Sequence, residues 1–399
     1  MSVKRVVLLG ATGSIGRQVR AVVADHPGRL ELVGMAAGRR VDDLVQAASE
    51  QAPGFGVRWL NVPSPEVRER LRRLLPASVA HGVEITVGEA GMVQMAQAAE
   101  VDIVVVAVVG FAGLAPTLAA LRAGKTVALA TKESLVAGGH LVREALQQGG
   151  GTLLPVDSEH SALWQLLEGE RGRPERLYLT ASGGPFRTAA RAEMAQATVA
   201  QALQHPTWSM GPKITVDSAT LMNKGFEVIE ARWLFDVGWD RIEVVVHPES
   251  VVHALVAWSD GSLTAQLATP HMRLPVERAL LFPETAHGSV PALDPARLGA
   301  LHFEPADRER FPLLEAAYRA GRLGGTYPAV LNAADEVAVQ AFLDGRLRLV
   351  EIETVVHQVL ERHQGVQAPD LEQVRQADQW ARQQAEGLCQ ALAERSGVR

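Results

Sequence analysis

A chain of 399 residues, 47% hydrophobic and 21% charged, has the composition of a soluble globular protein and the length of two or three domains. Its formal net charge of −6 supplies no basic footprint and argues against nucleic acid as a partner. Cys389 is the only cysteine, which excludes a disulfide framework, a cysteine-based zinc site and a dithiol redox motif, and fits a cytoplasmic enzyme.

Val3 to Leu9 is a β-branched, apolar strand that runs into Gly10-Ala11-Thr12-Gly13-Ser14-Ile15-Gly16, a helical pattern from Arg17 to Asp25, and a second strand from Leu30 to Met35. Lys4-Arg5 followed by Val6 to Ala11 is too short an apolar run for a signal peptide and stops at Thr12-Gly13. Strand, glycine turn and helix in that order form a dinucleotide-binding unit: glycines admit a pyrophosphate close to the backbone, and the helix N-terminus offers free N–H groups. The second strand ends in Ala37-Gly38-Arg39-Arg40, with no acid before Asp42. Positive charge there suits a ribose 2′-phosphate, so NADPH is the expected cofactor.

Further strands are expected at Glu84 to Val87, Val101 to Val108 and Thr126 to Ala130. Ile103 to Leu121 is uncharged and meets the ~18-residue criterion for a spanning helix, but it divides at Gly110, with Pro116 where a new helix can begin. A buried parallel strand followed by a helix accounts for it, and no membrane partner is expected. Thr131-Lys132-Glu133 lies just beyond a strand's carboxyl end, where open α/β sheets bind ligands. Gly149-Gly150-Gly151 reads as a hinge or boundary.

Asp157 and Glu159 then stand two apart at the end of an apolar strand, so both carboxylates are expected on one face. Two acids so placed call for a cation, and oxygen ligands without cysteine favour Mg²⁺ or Mn²⁺, with Co²⁺ as a further option. Glu227 is the best third carboxylate, sharing a helix face with Asn223, beside Lys224. Ser182-Gly183-Gly184 and Ser218 add hydroxyls and close backbone approach suited to a phosphomonoester, though each serine singly also suits a cap or turn. Between them, His205-Pro206-Thr207-Trp208-Ser209-Met210-Gly211-Pro212 suits a lid over residues 204–213.

Strands recur from Arg241 to Val246, Val251 to Trp258 and Leu263 to Ala268, with Asp260-Gly261 as a hairpin-like turn. An exposed edge of that sheet invites a second subunit, so a homodimer is expected. His247, His253 and His271 read as structural. After an aperiodic stretch from Phe282-Pro283 to Pro305, helices are expected at Phe311 to Ala320, Ala329 to Leu343, Val350 to Arg362 and Leu371 to Arg395, with Gly397 as the end. The architecture expected is α/β: a Rossmann-like NADPH domain (1–150), an α+β catalytic domain with a mixed sheet (151–283), a linker (284–310) and a C-terminal helical bundle (311–399).

The glycine turn, Leu154-Pro155-Val156-Asp157-Ser158-Glu159-His160, Ser182-Gly183-Gly184-Pro185-Phe186, His205 to Gly211 and Met222-Asn223-Lys224-Gly225 together resemble the 1-deoxy-D-xylulose 5-phosphate reductoisomerase family, across essentially the whole chain. The resemblance implies NADPH- and metal-dependent conversion of a small phosphorylated ketose to 2-C-methyl-D-erythritol 4-phosphate, in the non-mevalonate route to isoprenoids. It implies Asp157, Glu159 and Glu227 as metal ligands. It implies Lys132, Ser158, Ser182, His205, Ser218, Asn223 and Lys224 as substrate contacts, and Thr12, Gly13, Ser14, Ile15, Gly38, Arg39, Arg40, Thr131, Glu133 and Gly211 as the nucleotide site. Trp208 belongs to the lid, and Lys132 and Glu159 are candidates for proton movement. The chain departs from the family pattern at Thr131 and Asp335, where Asn is expected, and at Arg39-Arg40, where Lys-Asn is common. A semialdehyde dehydrogenase would need a mid-chain cysteine, which is absent. A metal-dependent sugar-phosphate phosphatase and an inactive NADP-binding sensor are the alternatives.

Overall fold

The computed structural model describes residues 3–50, 56–169, 173–285 and 290–396; Gly397 lies outside them. The chain divides into two compact units, one of Met1–Ser134, His140–Ser161 and His271–Pro291, the other of Leu135–Gly139, Ala162–Pro270 and Ala292–Arg399.

The first unit alternates strand and helix: β1 (Lys4–Leu9), α1 (Ser14–Asp25), β2 (Leu30–Ala36), α2 (Val41–Ser49), β3 (Trp59–Val62), α3 (Pro65–Leu74), α4 (Ala77–Ala80), β4 (Glu84–Val87), α5 (Gly88–Gln97), β5 (Ile103–Val106), α6 (Leu114–Arg122), β6 (Thr126–Leu129), α7 (Glu133–Gly149), β7 (Thr152–Pro155) and the start of α8 (Ser158–Leu167), with Leu135–Gly139 of α7 and α8 from Ala162 onward counted in the second unit. All seven strands are parallel, in the order β4-β3-β2-β1-β5-β6-β7. Near-continuous apolar runs such as Val6 to Leu9 and Val104 to Val106 are fully buried, as strands covered on both faces must be. The strand order reverses between β1 and β5, which makes their carboxyl ends the topological switch point where such sheets take ligands. The apolar run from Ile103 to Leu121 is β5 followed by α6, and no described helix is long and apolar enough to cross a membrane.

The glycine run at 149–151 is a packed helix stop rather than a free hinge. Gly150 closes α7 in the left-handed region at φ +66°, and a Cβ on Gly149 would lie 2.1 Å from Leu121 O.

In the second unit come β8 (Pro174–Ala181), α9 (Arg191–Met194), α10 (Val199–Ala202), α11 (Pro212–Thr220), α12 (Met222–Phe235), β9 (Ile242–Val246), β10 (Val252–Trp258) and β11 (Leu263–Leu267). The chain then returns to the first unit as α13 (Arg273–Leu281), where Glu277 Oε1 meets His26 Nε2 of α1 at 2.7 Å. β12 (Glu304–Pro305), α14 (Pro312–Leu323), α15 (Tyr327–Leu343), α16 (Glu351–Arg362) and α17 (Leu371–Ser396) complete the second unit. Its sheet runs β11-β10-β8-β9-β12 and is mixed: β8 is parallel to β9 and antiparallel to β10. The aperiodic stretch after Phe282 thus contributes an edge strand, apart from residues 286–289, which lie outside the described residues. β8 and the helices share one core, which includes Leu179, Phe226, Tyr318, Val339 and Val356, and Tyr318 donates its hydroxyl to Ile242 O at 2.9 Å.

Candidate active site

In the first unit, the glycine turn sits at the switch point. A Cβ on Gly10 (φ +101°) would lie 2.2 Å from Ala107 O beyond β5, and one on Gly16 would lie 2.3 Å from Gly10 O, so neither position tolerates a side chain. Gly13 differs: a Cβ there meets nothing nearer than Gly10 O at 3.4 Å. Its missing side chain therefore leaves room beside the N-terminus of α1, which has no side-chain cap and no acid in its first turn. Free N–H groups and an unopposed helix dipole suit a pyrophosphate. Thr12 is buried, Ser14 and Ile15 open α1, and Gly38, Arg39 and Arg40 form an exposed turn after β2. Arg40 Nη2 donates to Thr12 O at 2.5 Å, which brings a guanidinium to the glycine turn.

At the end of β6, Thr131 Oγ1 donates to Glu133 Oε2 at 2.7 Å, and Gly110 N donates to Glu133 Oε1 at 3.4 Å. Glu133 thus ties the segments after β5 and β6 together. Lys132 is buried and donates from Nζ to Asp157 Oδ1 at 2.7 Å. His160 Nδ1 lies 2.9 Å from the other oxygen, Oδ2. Burial by itself raises the Asp157 carboxyl, but the Lys132 charge and the His160 hydrogen bond override it and hold the group well below the usual carboxylate range. Asp157 is an ionised carboxylate oriented through both oxygens. Ser158 Oγ donates to Glu159 Oε2 at 2.5 Å. The expectation that a strand places both acids on one face needs correction: β7 ends at Pro155, Asp157 is in the turn, and Glu159 lies in the first turn of α8.

In the second unit, β8 delivers Ser182 at its end. Gly183 and Gly184 follow at φ +84° and +66°, and a Cβ on Gly184 would lie 2.6 Å from Ser218 O. The Ser-Gly-Gly motif therefore lets the turn lie against the backbone of α11 at Ser218. His205 Nδ1 accepts from Thr207 N at 3.1 Å and Trp208 N at 2.9 Å, so its proton is on Nε2, which donates to Ser182 Oγ at 2.9 Å. Burial lowers the His205 pKa and favours that neutral form. Gly184 N also donates to Ser182 Oγ, at 3.1 Å, leaving the serine's own O–H for a ligand acceptor. Trp208 is half-buried with its ring 6.2 Å from that of His253, Ser209 and Gly211 are exposed, and Gly211 caps α11.

Leu221, at φ +60° in a region costly for a branched side chain, turns the chain from α11 into α12. The first turns of α12 carry Asn223, Lys224 and Glu227. Asn223 Nδ2 donates to Glu227 Oε1 at 2.7 Å, and the buried Lys224 ammonium is ion-paired with Glu227 Oε2.

Sequence reasoning passed over His160 as a partner of Asp157, although it stands three residues on; the pairing depends on the turn into α8, which periodicity does not reveal. It also left unassigned the buried pair of Asp217 and Asp335 with Lys213. His247 is structural, as expected: its Nδ1 donates to His302 O, and its Nε2 accepts from Val251 and Val252 N.

Three family models match the chain: 1-deoxy-D-xylulose 5-phosphate reductoisomerase at residues 6–139, its C-terminal domain at 153–235, and the DXP reductoisomerase C-terminal domain at 267–384. A 1-deoxy-D-xylulose 5-phosphate reductoisomerase of Moorella thermoacetica is 51% identical over 390 residues, 98% of this chain and 99% of that protein. One of Heliobacterium modesticaldum is 49% identical over 381 residues, 95% and 96% respectively. Among solved structures, the Zymomonas mobilis reductoisomerase in complex with NADPH is similar at TM-score 0.88 and 41% identity, covering 97% of this chain and 99% of that one. A DOX-P reductoisomerase in complex with NADPH, fosmidomycin and magnesium reaches TM-score 0.90 at 38% identity, with 98% and 99% covered. The chain belongs to the 1-deoxy-D-xylulose 5-phosphate reductoisomerase family.

Proposed function

We propose that this chain converts 1-deoxy-D-xylulose 5-phosphate to 2-C-methyl-D-erythritol 4-phosphate, using NADPH and a divalent cation, Mn²⁺ or Mg²⁺ with Co²⁺ as an alternative. Family membership over nearly the whole chain is the observation that carries the reading. The residues present suit both groups. The open space at Gly13 and the arginine turn at Arg39-Arg40 suit NADPH, and an Asp157 held ionised suits a hard cation. When bound, the cation supplies Lewis-acid polarisation of the ketose oxygens and NADPH supplies the hydride.

Asp157, Glu159 and Glu227 are the residues that would hold the cation. Ser182, His205, Ser218, Asn223 and Lys224 would take the phosphate, with the Ser182 hydroxyl aimed by a neutral His205. Ser158 would contact the sugar. Lys132 keeps Asp157 oriented, and Lys132 and Glu159 would assist proton movement at the substrate oxygens. Trp208 on the 204–213 loop would cover the ligand and exclude water. Thr12, Gly13, Ser14, Ile15, Gly38, Arg39, Arg40, Thr131, Glu133 and Gly211 would contact the nucleotide. A homodimer accompanies this reading: β11 is an edge strand whose Leu263 and Leu267 are exposed. So does a cytoplasmic location.

The deciding experiment follows NADPH absorbance with 1-deoxy-D-xylulose 5-phosphate, with and without Mn²⁺ or Mg²⁺. Metal-dependent loss of absorbance is expected. Phosphate release without NADPH consumption would mark a phosphatase instead, and nucleotide binding without turnover would mark a sensor.

A further inference from the structure

The interior of α11 holds charges that the proposed chemistry does not use. Asp217 on α11 and Asp335 on α15 are 2% and 0% exposed. Lys213, one turn before Asp217, places its Nζ 2.6 Å from Asp217 Oδ2 and 2.9 Å from Asp335 Oδ2, and 4.7 Å from the ring centre of Phe226 on α12. Asp217 Oδ1 and both Asp335 carboxylate oxygens have no hydrogen-bond partner among the described residues, so Lys213 meets Asp335 as an ion pair without a hydrogen bond. One ammonium against two buried carboxylates leaves an excess negative charge, which a buried site resists strongly. A single proton shared between the acids removes the repulsion and gives the orphaned oxygens a partner.

Most charged groups on the neighbouring elements are paired with one another. On α12, Lys224 is paired with Glu227, and Glu230 is the remaining buried acid; α10 carries no charged residue. On α15 itself Glu336 binds Arg382 of α17, which also holds Asp378; on α16 Glu351 is taken by Arg348, and on α14 Glu315 by Arg308. The charges acting on Asp217 are those of Asp335 and Lys213. Burial first, then the like charge of Asp335, raise the Asp217 carboxyl well above the usual carboxylate range, against the opposing pull of Lys213.

We propose that Asp335 is a positioning residue for substrate binding: it shares one proton with Asp217 and, through Lys213, locks α11 so that Ser218 and Gly211 at the end of the lid are held in place. The shared proton stands on the geometry alone; the effect on substrate rests on the reading of Ser218 as a phosphate contact. An acid whose folded pKa is raised contributes most below the ordinary carboxylate value, and that contribution is lost as pH rises through the folded one. Once the proton leaves, Lys213 cannot balance both carboxylates, α11 loosens, and the substrate KM rises. Asp335→Asn removes one acid, introduces an amide that can donate an N–H to Asp217, and leaves one anion with one cation at any pH above the carboxylate range.

The test uses the full-length enzyme with NADPH and Mn²⁺, comparing wild type with Asp335→Asn and, as a second isostere, Asp217→Asn. The wild type is expected to show, at neutral pH, the infrared carbonyl stretch of a protonated carboxylic acid that both variants lack. Its substrate KM is expected to rise about tenfold on an alkaline limb that Asp335→Asn flattens, with kcat within about twofold. A wild-type spectrum without that band overturns the shared proton, and coincident KM profiles overturn the positioning role. Absence of turnover in the wild type strikes the proposed function instead, and the infrared comparison still decides the proton.

Discussion

His160 Nδ1 lies 2.9 Å from Asp157 Oδ2 with the imidazole fully buried. An ionised carboxylate only accepts, so Nδ1 carries the proton and donates it. Lys132 holds the other oxygen, and together they aim an anion that would otherwise resist its burial. On the proposed reading of Asp157 as a metal ligand, His160→Ala is expected to raise the Mn²⁺ concentration for half-maximal activity about 10- to 100-fold, the usual effect of removing a residue that orients such a ligand. His160→Asn, whose side-chain amide can still donate, is expected to recover most of that loss. Metal titrations of activity check both.

His205 is expected to make the 204–213 loop, the proposed lid, pH-sensitive on the acid side. A protonated imidazole cannot accept from Thr207 N and Trp208 N, and burial already lowers its pKa below the ordinary 6.5. The unfolded chain then binds the proton more readily, so the contribution of His205 is complete above 6.5 and is lost as pH falls through the lowered value. The substrate KM is expected to rise on that acid limb. His205→Asn, which keeps an acceptor near Nδ1 and loses the donor to Ser182, is expected to raise KM about tenfold at neutral pH and to remove the limb.

The glycine turn separates a packing role from a binding role. Gly16→Ala is expected to destabilise the first unit, because its Cβ would lie 2.3 Å from Gly10 O. Gly13→Ala has room in the protein and an extended backbone, so the melting temperature without nucleotide is expected to stay within about 2 °C while the NADPH dissociation constant rises about tenfold or more. Equal nucleotide affinity in Gly13→Ala and wild type would remove the pyrophosphate from this turn.

Arg40→Ala tests cofactor choice. The guanidinium donates to Thr12 O from Nη2, and its Nη1 lies 3.5 Å from Asp43 Oδ2. Its loss is expected to raise the NADPH KM about tenfold and to leave the NADH KM nearly unchanged. Parallel losses with both cofactors would mean that Arg40 only braces the turn.

The exposed Leu263 on the edge strand β11 tests the assembly. Sedimentation is expected to find a dimer for the wild type and a shift toward monomer for Leu263→Lys, because a lysine on an edge opposes pairing. A monomeric wild type would remove the homodimer.

Much of this protein was legible in local patterns. Val3 to Leu9 with the following glycine turn announced β1 and α1, and apolar spacing placed the last four helices within a few residues of their ends. Other parts were hidden because their character is not local. β8 begins with Pro174 and carries Glu175 and Arg176, yet it is the middle strand of its sheet; its burial comes from β9 and β10, which follow it in sequence. α13 follows a strand of the second unit, but its contact with His26 places it in the first.

The sequence by itself determined which chemistry is available: a glycine turn followed by arginines, carboxylates without nearby thiols, and hydroxyls with an amide and two lysines, Lys132 and Lys224. Tertiary structure alone decided their states. Asp157 is ionised because Lys132 and His160 reach its two oxygens, His205 is neutral because two backbone N–H groups occupy Nδ1, and Asp217 is raised because folding buries it against Asp335. Residue type sets which protons a side chain can exchange, whereas burial and the charges within a few ångströms set whether it does, and those are properties of packing.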